Sequence, residues 1–155
     1  MKDFDIKIEK NSIVTIFGTE DDTIVIPSEA KIDPSRSKFD ITLGDKAAKF
    51  GIPQNSEKIE INADGSNITV ENISFERLEI DVKGSVLVKL DGTTGPVDIN
   101  MAGGEATLIV NEGFSFTTEL KGKNNKIECG IEEDTTSENV IQLNGKDSIL
   151  KIVRI

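Results

Sequence analysis

Apolar and polar residues alternate along much of this chain, and the alternation returns at a fixed interval. Ile59, Ile61 and Ala63 alternate with Glu60 and Asn62. Leu78, Ile80 and Val82 alternate with Glu79 and Asp81, and Val97, Ile99 and Met101 with Asp98 and Asn100. Phe116, Thr118 and Leu120 alternate with Thr117 and Glu119. A period of two predicts strands with one buried face. Each run leads into a glycine: Gly65, Gly84, Gly103 and Gly122 at steps of 19, then Gly145 after a step of 23. The glycines predict corners that need positive φ or close backbone approach. A second strand follows each corner, at Ile68–Val70, Val86–Leu90, Ala106–Val110, Ile127–Cys129 and Leu150–Ile152. Asn72, Asp91 and Asn111 then mark a second turn.

A supersecondary unit repeating near every 20 residues is the signature of a solenoid, because one unit cannot bury its apolar face alone. The expected fold is therefore all-β: a single-domain parallel β-helix over 1–155 with about 19–20 residues per coil. Sequential stacking would build inner columns Ile59/Leu78/Val97/Phe116 and Ile61/Ile80/Ile99/Thr118. Phe39, Ile41 and Leu43 fit one coil earlier, and Ile141 and Leu143 one coil later, so the regular coils run over 39–155. Residues 1–38 are less regular. Phe4–Ile8, Ile13–Phe17 and Thr23–Ile26 read as short strands, either further coils or a cap over an open end. Asp45–Ser56 reads as a loop or one helical turn. The chain ends within a strand, Ile149 to Ile155, which would support end-to-end stacking if exposed.

Composition narrows the chemistry. The chain carries 18 basic and 28 acidic residues, a net charge of −10, and no histidine. An acidic surface argues against nucleic acid and against anionic membranes. Without histidine there is neither a Ser-His-Asp or Cys-His site nor His-ligated zinc. The aromatic residues are seven Phe with no Tyr or Trp, which weakens stacking-based recognition of sugars or bases. The single cysteine, Cys129, excludes an internal disulfide and is expected as a small buried residue. No run approaches the length of a membrane-spanning helix. Met1–Asp5 lacks the apolar stretch of a signal peptide, so a native start there would place the chain in the cytoplasm.

The remaining candidates are carboxylates. Outward positions stack as Glu60/Glu79/Asp98/Thr117 and as Asn62/Asp81/Asn100/Glu119. Such ladders offer oxygen ligands to a cation, but side chains on strands point straight out and do not wrap an ion, so a solvated face is the better reading. Asp64-Gly65 and Asp91-Gly92 resemble fragments of a calcium loop without its later ligands, and turn chemistry explains them. The loop Glu132–Glu138 is the densest acidic cluster and is expected as a solvated insertion. A polysaccharide lyase would need a basic residue among clustered carboxylates. Arg77 is expected at a turn and Lys83 and Lys121 just before corners, none of them so placed. No catalytic, cofactor-binding or metal-binding residue is assigned, and no enzymatic activity is expected.

Ile59–Asn72 reads I-E-I-N-A-D-G-S-N-I-T-V-E-N and Leu78–Val88 reads L-E-I-D-V-K-G-S-V-L-V. These repeats resemble the bacterial putative-adhesin β-solenoid family, whose Gly-Ser pairs match Gly65-Ser66 and Gly84-Ser85. Gly103-Gly104 and Gly122-Lys123 depart from that pair. The resemblance implies a non-enzymatic structural or interaction module at the cell surface or envelope, with a protein or cell-surface partner. Bactofilins, which polymerise end to end, are the second comparison; they imply a self-assembling scaffold. The expected state is thus a monomer or an end-to-end assembly.

Overall fold

The computed structural model describes residues 3–27, 31–34, 38–43 and 48–154. Every regular element among them is a β-strand. The strands are β1 (Asp3–Ile8), β2 (Ile13–Thr19), β3 (Lys31–Pro34), β4 (Lys38–Leu43), β5 (Ala48–Pro53), β6 (Asn55–Asp64), β7 (Asn67–Glu71) and β8 (Ser74–Lys83). They continue as β9 (Ser85–Asp91), β10 (Val97–Ala102), β11 (Glu105–Val110), β12 (Thr117–Lys123), β13 (Lys126–Cys129), β14 (Val140–Lys146) and β15 (Ile149–Arg154). One sheet has eight strands in the order β12-β14-β10-β8-β6-β1-β4-β3, the other seven in the order β13-β15-β11-β9-β7-β2-β5. All named pairings are parallel except β3 on β4.

The chain thus forms rungs, each giving one strand to each sheet. The rungs do not stack in chain order. The first rung, β1/β2, lies between β4/β5 and β6/β7, and the last, β14/β15, lies between β10/β11 and β12/β13. This corrects the sequential columns. Val97 pairs with Leu78 on one side and Ile141 on the other, and Ile141 in turn pairs with Thr118. Thr118 is therefore one column from its expected place, and Phe116 precedes β12, where it is still fully buried. The Phe39, Ile41 and Leu43 positions pair with Phe4, Ile6 and Ile8, not directly with Ile59, Ile61 and Ala63.

Of the N-terminal strands, β1 and β2 form an inner rung, while β3 and the bridge at Val25 lie on the outer strands β4 and β5 at one end of the stack. Residues 23–26 form an isolated antiparallel bridge, Val25 to Gly51, where a strand was expected. Of the stretch read as a loop or helical turn, 48–56 is strand β5 running into β6, while 45–47 and the chain end at Ile155 lie outside the described residues.

The core is built from in-register columns. Phe4, Ile59, Leu78, Val97 and Ile141 form one, and Ile6, Ile61, Ile80, Ile99 and Leu143 the next; all are buried. Val14, Ile68, Val88, Leu108 and Ile152 form a matching column in the other sheet. Each such side chain gains about 1.5–3 kcal/mol from burial.

The corners explain the uneven glycine spacing. Positive φ occurs at Asn11, Gly65, Gly84, Gly103, Asn124 and Asp147. Asn and Asp tolerate the left-handed region better than other side-chain residues, so they replace glycine in the terminal rungs. Gly122, which also has a positive φ of 103°, and Gly145 are paired strand residues level with Met101, two positions before the corner. A Cβ on Gly122 would lie 1.8 Å from the Gly145 carbonyl oxygen. The Asn125 amide uses the space, donating to the carbonyls of Lys121 at 2.8 Å and Gly145 at 2.5 Å.

Buried serines fix the inserted rungs. Ser12 donates its hydroxyl to the Glu9 carbonyl at 2.6 Å and its N–H to Ser66 Oγ at 3.3 Å. At the other insertion, Ser148 Oγ accepts the Gly103 N–H at 3.0 Å and lies 2.8 Å from the Lys146 carbonyl. Each closes polar groups that the change of rung order would otherwise leave buried and unpaired.

Ile99 tests this stacking. Ile99→Ala should lower unfolding stability by about 2–5 kcal/mol in urea titration, because the cavity opens between two occupied rungs. A loss below about 0.5 kcal/mol would place the side chain at the surface.

Candidate functional site

The outer face of the eight-stranded sheet carries the ladder anticipated from the sequence, but longer and in another order. Asp5, Glu60, Glu79, Asp98, Gln142 and Glu119 occupy one register line. Glu119 stands where Thr117 was expected, and Thr117 pairs instead with Val140. The neighbouring line runs Lys7, Asn62, Asp81, Asn100, Asn144 and Lys121, so Lys121 takes the place expected for Glu119.

Parallel strands hold equivalent side chains about 4.8 Å apart, close enough for carboxylates to repel one another. Three devices relieve this. Lys58 Nζ lies 2.7 Å from Glu60 and 3.4 Å from Glu79. Arg77, which is on strand β8 and not at a turn, holds Asp98 with Nε at 2.6 Å and Nη2 at 2.5 Å. The Asn100 amide donates to Glu79 at 3.0 Å and Asp81 at 2.9 Å, and Asn62 donates to Asp5 at 3.3 Å. The hydrogen bond and charge of Glu60 raise the Lys58 ammonium above its ordinary value. The ladder is thus a cross-linked polar face that offers side-chain heads in a flat row. Among the described residues no three His, Cys, Asp or Glu side chains converge as a metal cage.

The acidic loop is the second surface. Residues 130–139 connect β13 to β14 and are tied back to the start of β12, not simply solvated. Glu133 accepts the backbone N–H and the hydroxyl of Thr118, both at 2.6 Å. The Asp134 N–H donates to the Phe116 carbonyl at 2.8 Å. Asp134 also accepts from Ser115 at 2.9 Å and from the N–H and hydroxyl of Thr136 at 3.0 and 2.6 Å. The Thr136 hydroxyl is the main reason that the Asp134 carboxyl lies below its ordinary value.

Gly113, Phe114, Ser115, Glu132–Asp134 and Arg154 line a surface cleft of about 420 Å³ there. The period did not reveal it, because Arg154 arrives on β15 and only the inserted rung brings it beside this loop. Its guanidinium donates to the carbonyls of Asn111 at 3.2 Å and Phe114 at 3.4 Å. Arg154 therefore positions the Asn111–Phe116 connection. Neither a turn aspartate nor a ladder residue reaches the cleft. Asp64 and Lys83 instead line a shallow groove with Asp81 on the sheet face, and the Asp91 backbone carbonyl accepts the Asn72 N–H from the neighbouring rung at 2.8 Å. Cys129 is half-buried, in place of the full burial expected, because β13 is an edge strand; its thiol contacts the Ile131 carbonyl at 3.3 Å.

No family model matches the chain, and no curated protein matches it. The structure is similar to that of a putative cell adhesion protein from Clostridium sporogenes ATCC 15579. The TM-score is 0.62 at 14% sequence identity, covering 99% of this chain and 93% of the other. That likeness establishes a shared fold along the whole chain.

The loop should respond to acid. A carboxyl with a lowered folded-state value contributes order that is complete above its ordinary value and is lost as pH falls through the lowered one. Amide exchange at Thr136, corrected for its intrinsic pH dependence, should therefore accelerate below about pH 4. Asp134→Ala should exchange fast at every pH. Protection that ignores both changes would mean that Asp134 does not hold the loop.

Proposed function

We propose that this chain is a single-domain parallel β-solenoid that acts as a non-enzymatic, adhesin-like interaction module of the bacterial cell envelope. The rungs support the solenoid reading. Each passes once through both sheets and continues in register with its neighbours, and the corners among the described residues take positive φ. The two terminal turns are inserted one place inward.

The observation that carries the functional reading is the full-length likeness to a protein described as a putative cell adhesion protein. The surface supports it. The ladder residues are locked by amides and cations into a flat polar face, suited to broad contact with a protein or cell-surface partner. Arg154, which lines the cleft beside the acidic loop, is engaged with backbone carbonyls, which suits a structural use of the cleft better than proton transfer.

Localisation tests this reading. An epitope-tagged chain in its native bacterium should fractionate with the envelope and be cleaved by protease added to intact cells. Recovery in the cytosol, protected until lysis, would overturn the envelope assignment.

A further inference from the structure

The two ends of the stacked sheets differ. At one end β3 pairs antiparallel on β4, and Val25 bridges antiparallel to Gly51 on β5. At the other end β12 and β13 are the outermost strands, and among the described residues no strand pairs with their outer edges. An unpaired edge is a template for another chain unless it is blocked. Here the block is partial. Glu133 takes the outward N–H of Thr118, and the Asp134 N–H takes the Phe116 carbonyl. Past Thr118 the edge is open, and Leu120 is 50% exposed.

We propose that a second copy of this chain pairs antiparallel with this edge of β12, about a two-fold axis at Leu120. The charge order is self-complementary about that residue. Rotation sets Leu120 against its own copy, Glu119 against Lys121 of the second copy, and Lys121 against the second copy's Glu119. The ionic groups are half exposed and lie 3.6 Å apart within one strand, free to exchange partners across the axis. The same rotation brings the acidic loop at the start of β12 toward the basic end of the other β12, at Lys121 and Lys123. The adjacent edge does not oppose this: β13 carries Lys126-Ile127-Glu128, the same order reversed and equally self-complementary. Opposite charges across antiparallel strands stabilise a pair, and like charges destabilise it. A head-to-tail stack would have to place β12 on the end that the antiparallel β3 occupies. The two-fold pair uses only the open end and closes as a dimer.

The experiment measures molar mass by light scattering from low concentration to the solubility limit at low salt. The wild-type chain should pass from monomer to dimer and stop there. Glu119→Lys and Lys121→Glu should each weaken dimerisation by about tenfold or more, since each sets two like-charge pairs across the axis. The double variant Glu119→Lys/Lys121→Glu should restore it, because the pairs re-form with signs exchanged. Both side chains are at the surface, and far-UV circular dichroism checks that each variant stays folded. A wild-type chain that remains monomeric overturns the proposal. So does growth beyond a dimer, and so does a double variant as weak as the singles.

Discussion

Every strand in this molecule must satisfy two ladders of backbone groups, and that constraint organises the rest. In a parallel sheet the only inexpensive way to do so is to place a strand of the same inside-out alternation on each side. Slipping by one residue would turn Ile59 and Ile61 outward and Glu60 inward. The repeat therefore fixes which face is buried and which residues share a level. It does not fix which rung stands beside which. Every rung obeys the same alternation, so any of them is an acceptable neighbour to any other.

The choice among neighbours follows from what each rung offers the core. Val97 accepts Ile141 or Thr118 equally well in register, but not in energy. The β14 rung presents Ile141 and Leu143, both fully buried, whereas β12 presents Thr118 and Leu120, one hydroxylated and the other half exposed. The richer rung occupies the inner slot, and the poorer one forms the end. At the N-terminal end Phe4, Ile6 and Ile8 are likewise buried between two rungs. Insertion also ties both terminal rungs on two sides, so their strands are not left to fray.

Much of this was legible in the sequence. Alternation identified the inner columns from Ile59 to Val97, and the glycine period identified the corners at Gly65, Gly84 and Gly103. The order of the last rungs was not legible by period alone, because a step of 23 can equally be an insertion in a sequential stack. The sign was chemical. Gly122 and Gly145 lie two residues before Asn124 and Asp147, and these take positive φ at the corner positions that Gly65, Gly84 and Gly103 fill elsewhere. The ladder on the outer face was anticipated where the rungs are sequential, at Glu60, Glu79 and Asp98. It was misread at Thr117 and Glu119, where a strand from later in the chain intervenes. The cleft at Arg154 was invisible for the same reason, since its residues meet only through the inserted rung.

The same rearrangement shapes the surfaces available for contact. Had the rungs stacked in order, the strand ending near Ile155 would have formed the outer edge, with Ile149, Leu150 and Ile152 at the open end. Insertion withdraws Leu150 and Ile152 into the core and leaves an edge of alternating Glu, Leu and Lys, half guarded by an acidic loop. Such an edge is poor in the apolar surface that drives indiscriminate sheet growth but retains open backbone groups and ordered charge. Its selectivity would come from charge register, not from hydrophobic area. The flat carboxylate-amide ladder runs at right angles to that edge and stays free when the end is covered. A two-fold pair would accordingly double the length of the ladder without consuming it. On a proposed interaction module, repeated weak contacts along one continuous face would add through effective concentration.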